Sequence, residues 1–133
     1  MLNKKGFTLV ELLAVIVILA IILAIAIPSI TSLIENSKKG SFESNVKMIA
    51  AGIEYKILEA QASGAAAPYT VGATTDVDSN AASWGGKVAD YDHIYITSLT
   101  PVTVEVQTVS GSQFGAYKAV GATRNTSGTV TKQ

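Results

Sequence analysis

A chain of 133 residues with ten acidic side chains, ten basic ones and no cysteine has the length of one compact domain. It excludes a disulfide framework, a thiolate metal centre and a cysteine-borne lipid anchor, and its charge balance gives nucleic acid no electrostatic reason to bind. The apolar residues are densest between Val10 and Ile27, and that block sets the class of protein.

Met1-Leu2-Asn3-Lys4-Lys5-Gly6 forms a short basic tip, and from Phe7 to Ile27 the sole charge is Glu11. As a helix this stretch rises about 30 Å, the thickness of a bilayer core. Lys4 and Lys5 hold the N-terminus in the cytoplasm by the positive-inside tendency, so everything after Pro28 is expected outside. Pro28 cannot donate to the carbonyl of Ala24 and is expected to bend or loosen the helix without ending it. Beyond it, Ile30, Leu33 and Ile34 precede Phe42, Val46, Ile49, Ile53, Ile57 and Ala60, which recur every three or four residues. Lys38, Lys39, Glu43, Lys47, Glu54 and Glu59 lie off that stripe, and Glu43 stands in favourable order four residues before Lys47. Ser63-Gly64 is the expected end of the helix, near residue 62. An unbroken helix from Phe7 to Ala62 would make the whole molecule a lollipop about 80 Å long.

From Ala65 to Gly86 no period is sustained, which predicts a long loop with a short strand near Tyr69 at most. Strand patterns follow over residues 93–97, 102–108 and 116–120, with a weaker one at 128–131. Val102, Val104 and Val106 alternate with Thr103, Glu105 and Gln107, as in a half-buried strand. Turn chemistry at Pro101 and at Ser110-Gly111-Ser112 makes an antiparallel meander the simplest topology. The expected fold is α+β: a long N-terminal helix, apolar in its first half and amphipathic in its second, packed on a small antiparallel sheet of three to four strands.

The run Lys4-Lys5-Gly6-Phe7-Thr8-Leu9-Val10-Glu11-Leu12, followed by an apolar stretch and Pro28, resembles the processing site of type IV prepilins and pseudopilins. The resemblance implies cleavage between Gly6 and Phe7 by a membrane-embedded prepilin peptidase and N-methylation of the new amine of Phe7. It implies that Glu11 matches the acidic assembly residue and Pro28 the helix-disrupting proline. On this reading residues 1–6 are the leader, 7–28 the transmembrane and assembly helix, 29–62 the amphipathic helix of the head, and 63–133 its loop and sheet. The implied product is a structural subunit without enzymatic activity or cofactor. It starts in the cytoplasmic membrane and ends as a homo-oligomeric helical filament at the cell surface, with a motor ATPase and a platform protein as assembly partners. Two readings within the family remain open, a pseudopilin of type II secretion and a competence pseudopilin serving DNA uptake. One from another class is a single-pass membrane-anchored binding protein. The frequent disulfide-closed C-terminal loop of the family is missing, since there is no cysteine.

The chemistry of Glu11 stands without the family. A carboxylate in a membrane span is unfavourable by about 2.5–3.5 kcal/mol at its centre and less toward the interface. Cleavage before Phe7 would create a positive amine four residues upstream, and in a stack of helices the amine of one subunit could meet Glu11 of its neighbour and set the register. A plain anchor leaves the conjunction of Gly6, Phe7 and Glu11 unexplained. A secretory signal cut after Ala24-Ile25-Ala26 would be longer than the usual apolar core of about 7–15 residues and would carry a carboxylate.

Other candidates are weaker. Asp76, Asp78 and Asn80 are spaced like the first ligands of a calcium loop, but Ala81 stands where that loop needs glycine and Lys87 where it needs glutamate, so no metal site is expected. His93 lies near Asp90 and Asp92, yet in a regular strand Asp92 and His93 point to opposite faces and cannot orient one another. Trp84, Tyr91, Tyr95, Phe114 and Tyr117 are expected to pack the core and its rim rather than to stack on bases, because basic residues are not interleaved with them. Asn125-Thr126-Ser127 fits a glycosylation sequon and is read as a polar tail.

Overall fold

The structure, a computed structural model, describes residues 6–72 and 84–133. Among the described residues a long helix, α1, runs Leu9–Ser63, and four strands follow: β1 (Tyr91–Leu99), β2 (Val102–Thr108), β3 (Tyr117–Ala122) and β4 (Thr129–Lys132). The chain divides into two compact units, Met1–Asn36 and Ser37–Gln133.

In the first unit, every large apolar side chain from Leu9 to Ile34 is exposed. The helix continues through Pro28. The hydroxyl of Ser29 donates to the carbonyl of Ile25 at 3.4 Å, and that of Thr31 lies 3.2 Å from the Ile27 carbonyl and 2.9 Å from that of Pro28. These short side chains supply hydrogen bonds in the turns around the missing proline N–H.

The second unit is a helix on an antiparallel sheet of order β1-β2-β3-β4. Phe42, Val46, Ile49, Ala50 and Ile53 form the buried stripe of the helix, and Ile94, Ile96, Val104, Val106, Ala119 and Ala122 the buried face of the sheet. Each surface covers the apolar face that the other cannot leave in water. Phe42 sits at the join, its ring stacked 5.7 Å from Tyr117 and tilted 6.4 Å from Phe114. The helix ends where Gly64 takes φ 71°, a left-handed conformation that glycine enters without a Cβ penalty. The N–H of Ala65 then reaches the carbonyl of Ala60 at 2.9 Å and that of Gly64 the carbonyl of Gln61 at 3.3 Å, which is a Schellman closure.

Among the described residues the buried polar side chains are paired. The Asp90 carboxylate accepts the Gln113 backbone N–H at 3.2 Å and its side-chain amide at 2.9 Å. The Thr108 hydroxyl lies 2.7 Å from the Gly115 carbonyl and accepts the Tyr117 N–H at 2.9 Å. These bonds close the β2–β3 connection without disulfide help. Burial, and next the neighbouring Asp90 charge, push the Tyr91 phenol well above its ordinary range; its hydroxyl donates to the Gly85 carbonyl.

Several expectations are refined. The helix starts at Leu9 rather than Phe7, and β1 is longer than residues 93–97. A three-residue 3-10 turn, Val88–Asp90, precedes it, and β4 exists over Thr129–Lys132. Tyr69 is not in a strand; it packs against the core from an irregular segment. Glu43 lies 3.9 Å from Lys39 one turn earlier, and no Glu43–Lys47 pair forms among the described residues.

Gly52 gives a sharp test of the packing. A Cβ there would overlap the Trp84 ring, so Gly52→Ala is expected to displace that ring despite alanine's better helix propensity. Trp84 is the single tryptophan. A shifted emission maximum and a lower thermal midpoint would report the displacement; unchanged emission with raised stability would contradict it.

Candidate assembly site

The start of α1 is built by two reciprocal hydrogen bonds. The Thr8 backbone N–H donates to Glu11 Oε2 at 3.0 Å, and the Glu11 N–H donates to Thr8 Oγ1 at 3.2 Å, while the Thr8 carbonyl accepts the first helical bond from Leu12 at 3.1 Å. This is a capping box: threonine at the cap and glutamate three residues on satisfy two of the N–H groups a helix start leaves open. The carboxylate also sits at the positive end of the helix dipole. Gly6 and Phe7 lie just outside the helix and are exposed, Phe7 by 82%. The Gly6–Phe7 peptide bond precedes the helix, which begins at Leu9. Sequence reasoning gave Thr8 no role, although its spacing to Glu11 carries the capping-box signature.

The helix is long and apolar enough to cross a membrane by length and composition. So much contiguous apolar surface marks a membrane or protein contact, since soluble monomers rarely expose patches above a few hundred Å².

The remaining candidates do not assemble into a site. Asp76, Asp78, Asn80 and Ala81 lie outside the described residues, and Lys87 is exposed ahead of the 3-10 turn. Among the described residues no group of three or more His, Cys, Asp or Glu is placed to hold a metal ion. His93 corrects one expectation: its Nδ1 is 3.1 Å from Asp92 Oδ2 and its Nε2 is 3.3 Å from Glu105 Oε1. The register slips between Tyr91 and His93, and this irregularity breaks the strict alternation that would send neighbouring side chains to opposite faces. Phe114 and Tyr117 are buried, and Trp84 and Tyr91 pack against the core. Tyr95 instead stacks on the His93 ring at 4.3 Å. Asn125 is exposed beside the Thr123–Thr126 bridge.

The Glu105 carboxylate is held below its ordinary range, chiefly by the Lys118 ammonium 2.7 Å away and secondarily, against some desolvation, by His93. A carboxylate depressed on folding stabilises the fold above its unfolded value of 4.5, and that contribution disappears as pH falls through the lower folded value. Glu105→Gln is expected to flatten this part of the acid limb in a thermal-midpoint series below about pH 5. An unaltered acid limb would exclude the pair as a contributor.

An exposed apolar helical segment with a single carboxylate in its capped first turn, followed in sequence by a small α+β unit, is the layout of a class of proteins with an N-terminal helix long and apolar enough to cross a membrane. The comparisons narrow that class. Residues 1–27 match the family described as the prokaryotic N-terminal methylation motif. The chain is also 39% identical over 51 residues to the ComG operon protein 3 homolog of Bacillus licheniformis, an overlap covering 38% of this chain and 53% of that protein. The chain thus spans about half the length of this curated relative. No solved structure matches. Both matches support the type IV pilin and pseudopilin resemblance, and the N-terminal segment is of the prepilin type.

Proposed function

We propose that this chain is a structural subunit, without enzymatic activity, of a type IV pilus-like filament. It is held in the cytoplasmic membrane by residues 7–28 as a precursor and then assembled through that segment into a helical homo-oligomer at the cell surface. The observation that carries the reading is the capped Gly6-Phe7-Thr8-x-x-Glu11 start of a helix that is otherwise uncharged as far as Ile34 and exposes its large apolar side chains over that stretch. A prepilin peptidase would cut between Gly6 and Phe7 and the new Phe7 amine would be methylated. A motor ATPase and a platform protein would supply the extraction work. Pro28 serves as the point where the helix can bend during packing. The whole of residues 1–6 would be the leader, and residues 29–133 the head.

The likeness to the ComG operon protein 3 homolog supports a second reading within the same class, a competence pseudopilin. Mechanical shearing separates the two. A pilus subunit is expected to be abundant in the sheared extracellular fraction, whereas a pseudopilin would stay with the membranes. Recovery of the chain solely as a freely soluble periplasmic or culture protein would contradict both.

A further inference from the structure

A cut before Phe7 would make the α-amine nitrogen of that residue the reacting atom of the chain, and what holds that atom is the start of α1. The Thr8 N–H is pinned to Glu11 Oε2 at 3.0 Å, Thr8 Oγ1 accepts the Glu11 N–H at 3.2 Å, and the Thr8 carbonyl accepts the Leu12 N–H at 3.1 Å. The donor, the acceptor and the side chain of Thr8 are thus all tied to the first turn, and the helix proper begins one residue later at Leu9. Between this fixed frame and the amine lie the Cα and the carbonyl carbon of Phe7. The peptide unit is planar, so ψ of Phe7 is the soft torsion that moves the nitrogen, and rotation about its N–Cα bond merely turns the protons. Loss of the cap would free φ and ψ of Thr8 as well. Thr8 is exposed and lies outside the core, so packing does not account for a threonine there.

We propose that Thr8 is a positioning residue for N-methylation of Phe7: by capping α1 it holds the new amine within a narrow set of directions while the methyl group is transferred. The inference rests on the processing reading above, and the match of residues 1–27 to the N-terminal methylation motif points to the reaction. The donor is a methylsulfonium compound. The lone pair of the neutral Phe7 amine forms the new N–C bond, and the C–S bond breaks with its electron pair going to sulfur, which leaves as a neutral thioether. One proton then passes from the resulting ammonium to solvent. Such a displacement needs nitrogen, methyl carbon and sulfur nearly in line, so its rate follows the fraction of chains whose amine already points along that line.

A capping side chain changes the population of an ordered helix start by about two- to thirtyfold, which sets the size of the effect. Cleavage makes a different demand. Loss of a cap frays a helix start rather than extending it, so the Gly6–Phe7 bond stays ahead of α1 with or without the Thr8 oxygen, and the cut does not depend on it. The two steps of processing therefore respond differently to the same substitution.

Full-length precursor incubated with membranes of the producing cells and a methylsulfonium donor gives both readouts in a mass-spectrometric time course: the cut fraction, and the methylated share of the cut chains. Thr8→Val keeps the size and β-branching of the side chain and removes its oxygen, whereas Thr8→Ser keeps the oxygen. Thr8→Val should be cut within about twofold of the native rate yet methylated at least about threefold more slowly, through a lower kcat with KM for the donor unchanged. Thr8→Ser should stay within about twofold of the native chain in both steps. Methylation of Thr8→Val at the native rate, or a loss in Thr8→Ser as large as in Thr8→Val, overturns the positioning role. The native chain keeps the two ideas apart. If it is cut and methylated and Thr8→Val matches it, the positioning fails alone; if it is not cut, or is cut and never methylated, the processing reading fails and the positioning with it.

Discussion

Glu11→Val is expected to insert into the membrane and lose its leader normally, yet leave the sheared filament fraction about a hundredfold below that of the native chain. Removing the carboxylate lowers the cost of insertion, by up to about 2.5–3.5 kcal/mol were it at the bilayer centre. The helix start loses one half of its capping box, about 0.5–2 kcal/mol and not enough to unfold a long apolar helix in lipid. Assembly is where the loss should appear. If the Phe7 amine of one subunit meets Glu11 of its neighbour in a dry helix bundle, deleting one partner strands the other charge at about 3–5 kcal/mol, and each 1.4 kcal/mol is about tenfold in an equilibrium. Glu11→Gln sharpens the test, because glutamine can replace glutamate in a capping box while removing the charge. Loss of filaments in both variants assigns the role to the charge; loss in Val with normal yield in Gln would assign it to the cap. Normal yield in both would refute the pairing.

Phe42→Ala should cost the head about 3–5 kcal/mol, a large part of the stability available to a domain of this size. Phe42 is fully buried and bridges the helix stripe to Phe114 and Tyr117, so its removal leaves a cavity at the join of helix and sheet where backbone on both sides is fixed by hydrogen bonds. Chemical denaturation of the detergent-solubilised chain, followed by Trp84 emission, should show the midpoint falling steeply. A shift of less than about 1 kcal/mol would mean the helix does not rest on the sheet as described.

The elements that could be read from the residues are those with a sustained period. Val102, Val104 and Val106 alternate without interruption, and β2 is buried at each of them. Phe42 through Ile53 repeats at helical spacing, and those residues line the core. Gly64 marked the helix end within a residue. Reading failed where geometry depends on a neighbouring strand: the slip beside Asp92 comes from pairing with β2, so local alternation could not foresee His93 meeting two carboxylates. The contact of Gly52 with Trp84 joins residues far apart in sequence, and no local pattern encodes it. At the N-terminus the apolar run and Glu11 are legible because hydropathy and charge announce them. The reciprocal Thr8–Glu11 bonds were spelled out by spacing alone and needed the helix start at Leu9 to become visible.

The central claim is that Gly6–Phe7 is a processing junction and that the segment after it carries the chain into a filament. Mass spectrometry of the N-terminal peptide, taken from sheared filaments and from the membrane fraction in parallel, tests it most directly. The account predicts a chain beginning at Phe7 with one added methyl group; a chain still beginning at Met1, or one beginning at Ile27, would contradict it.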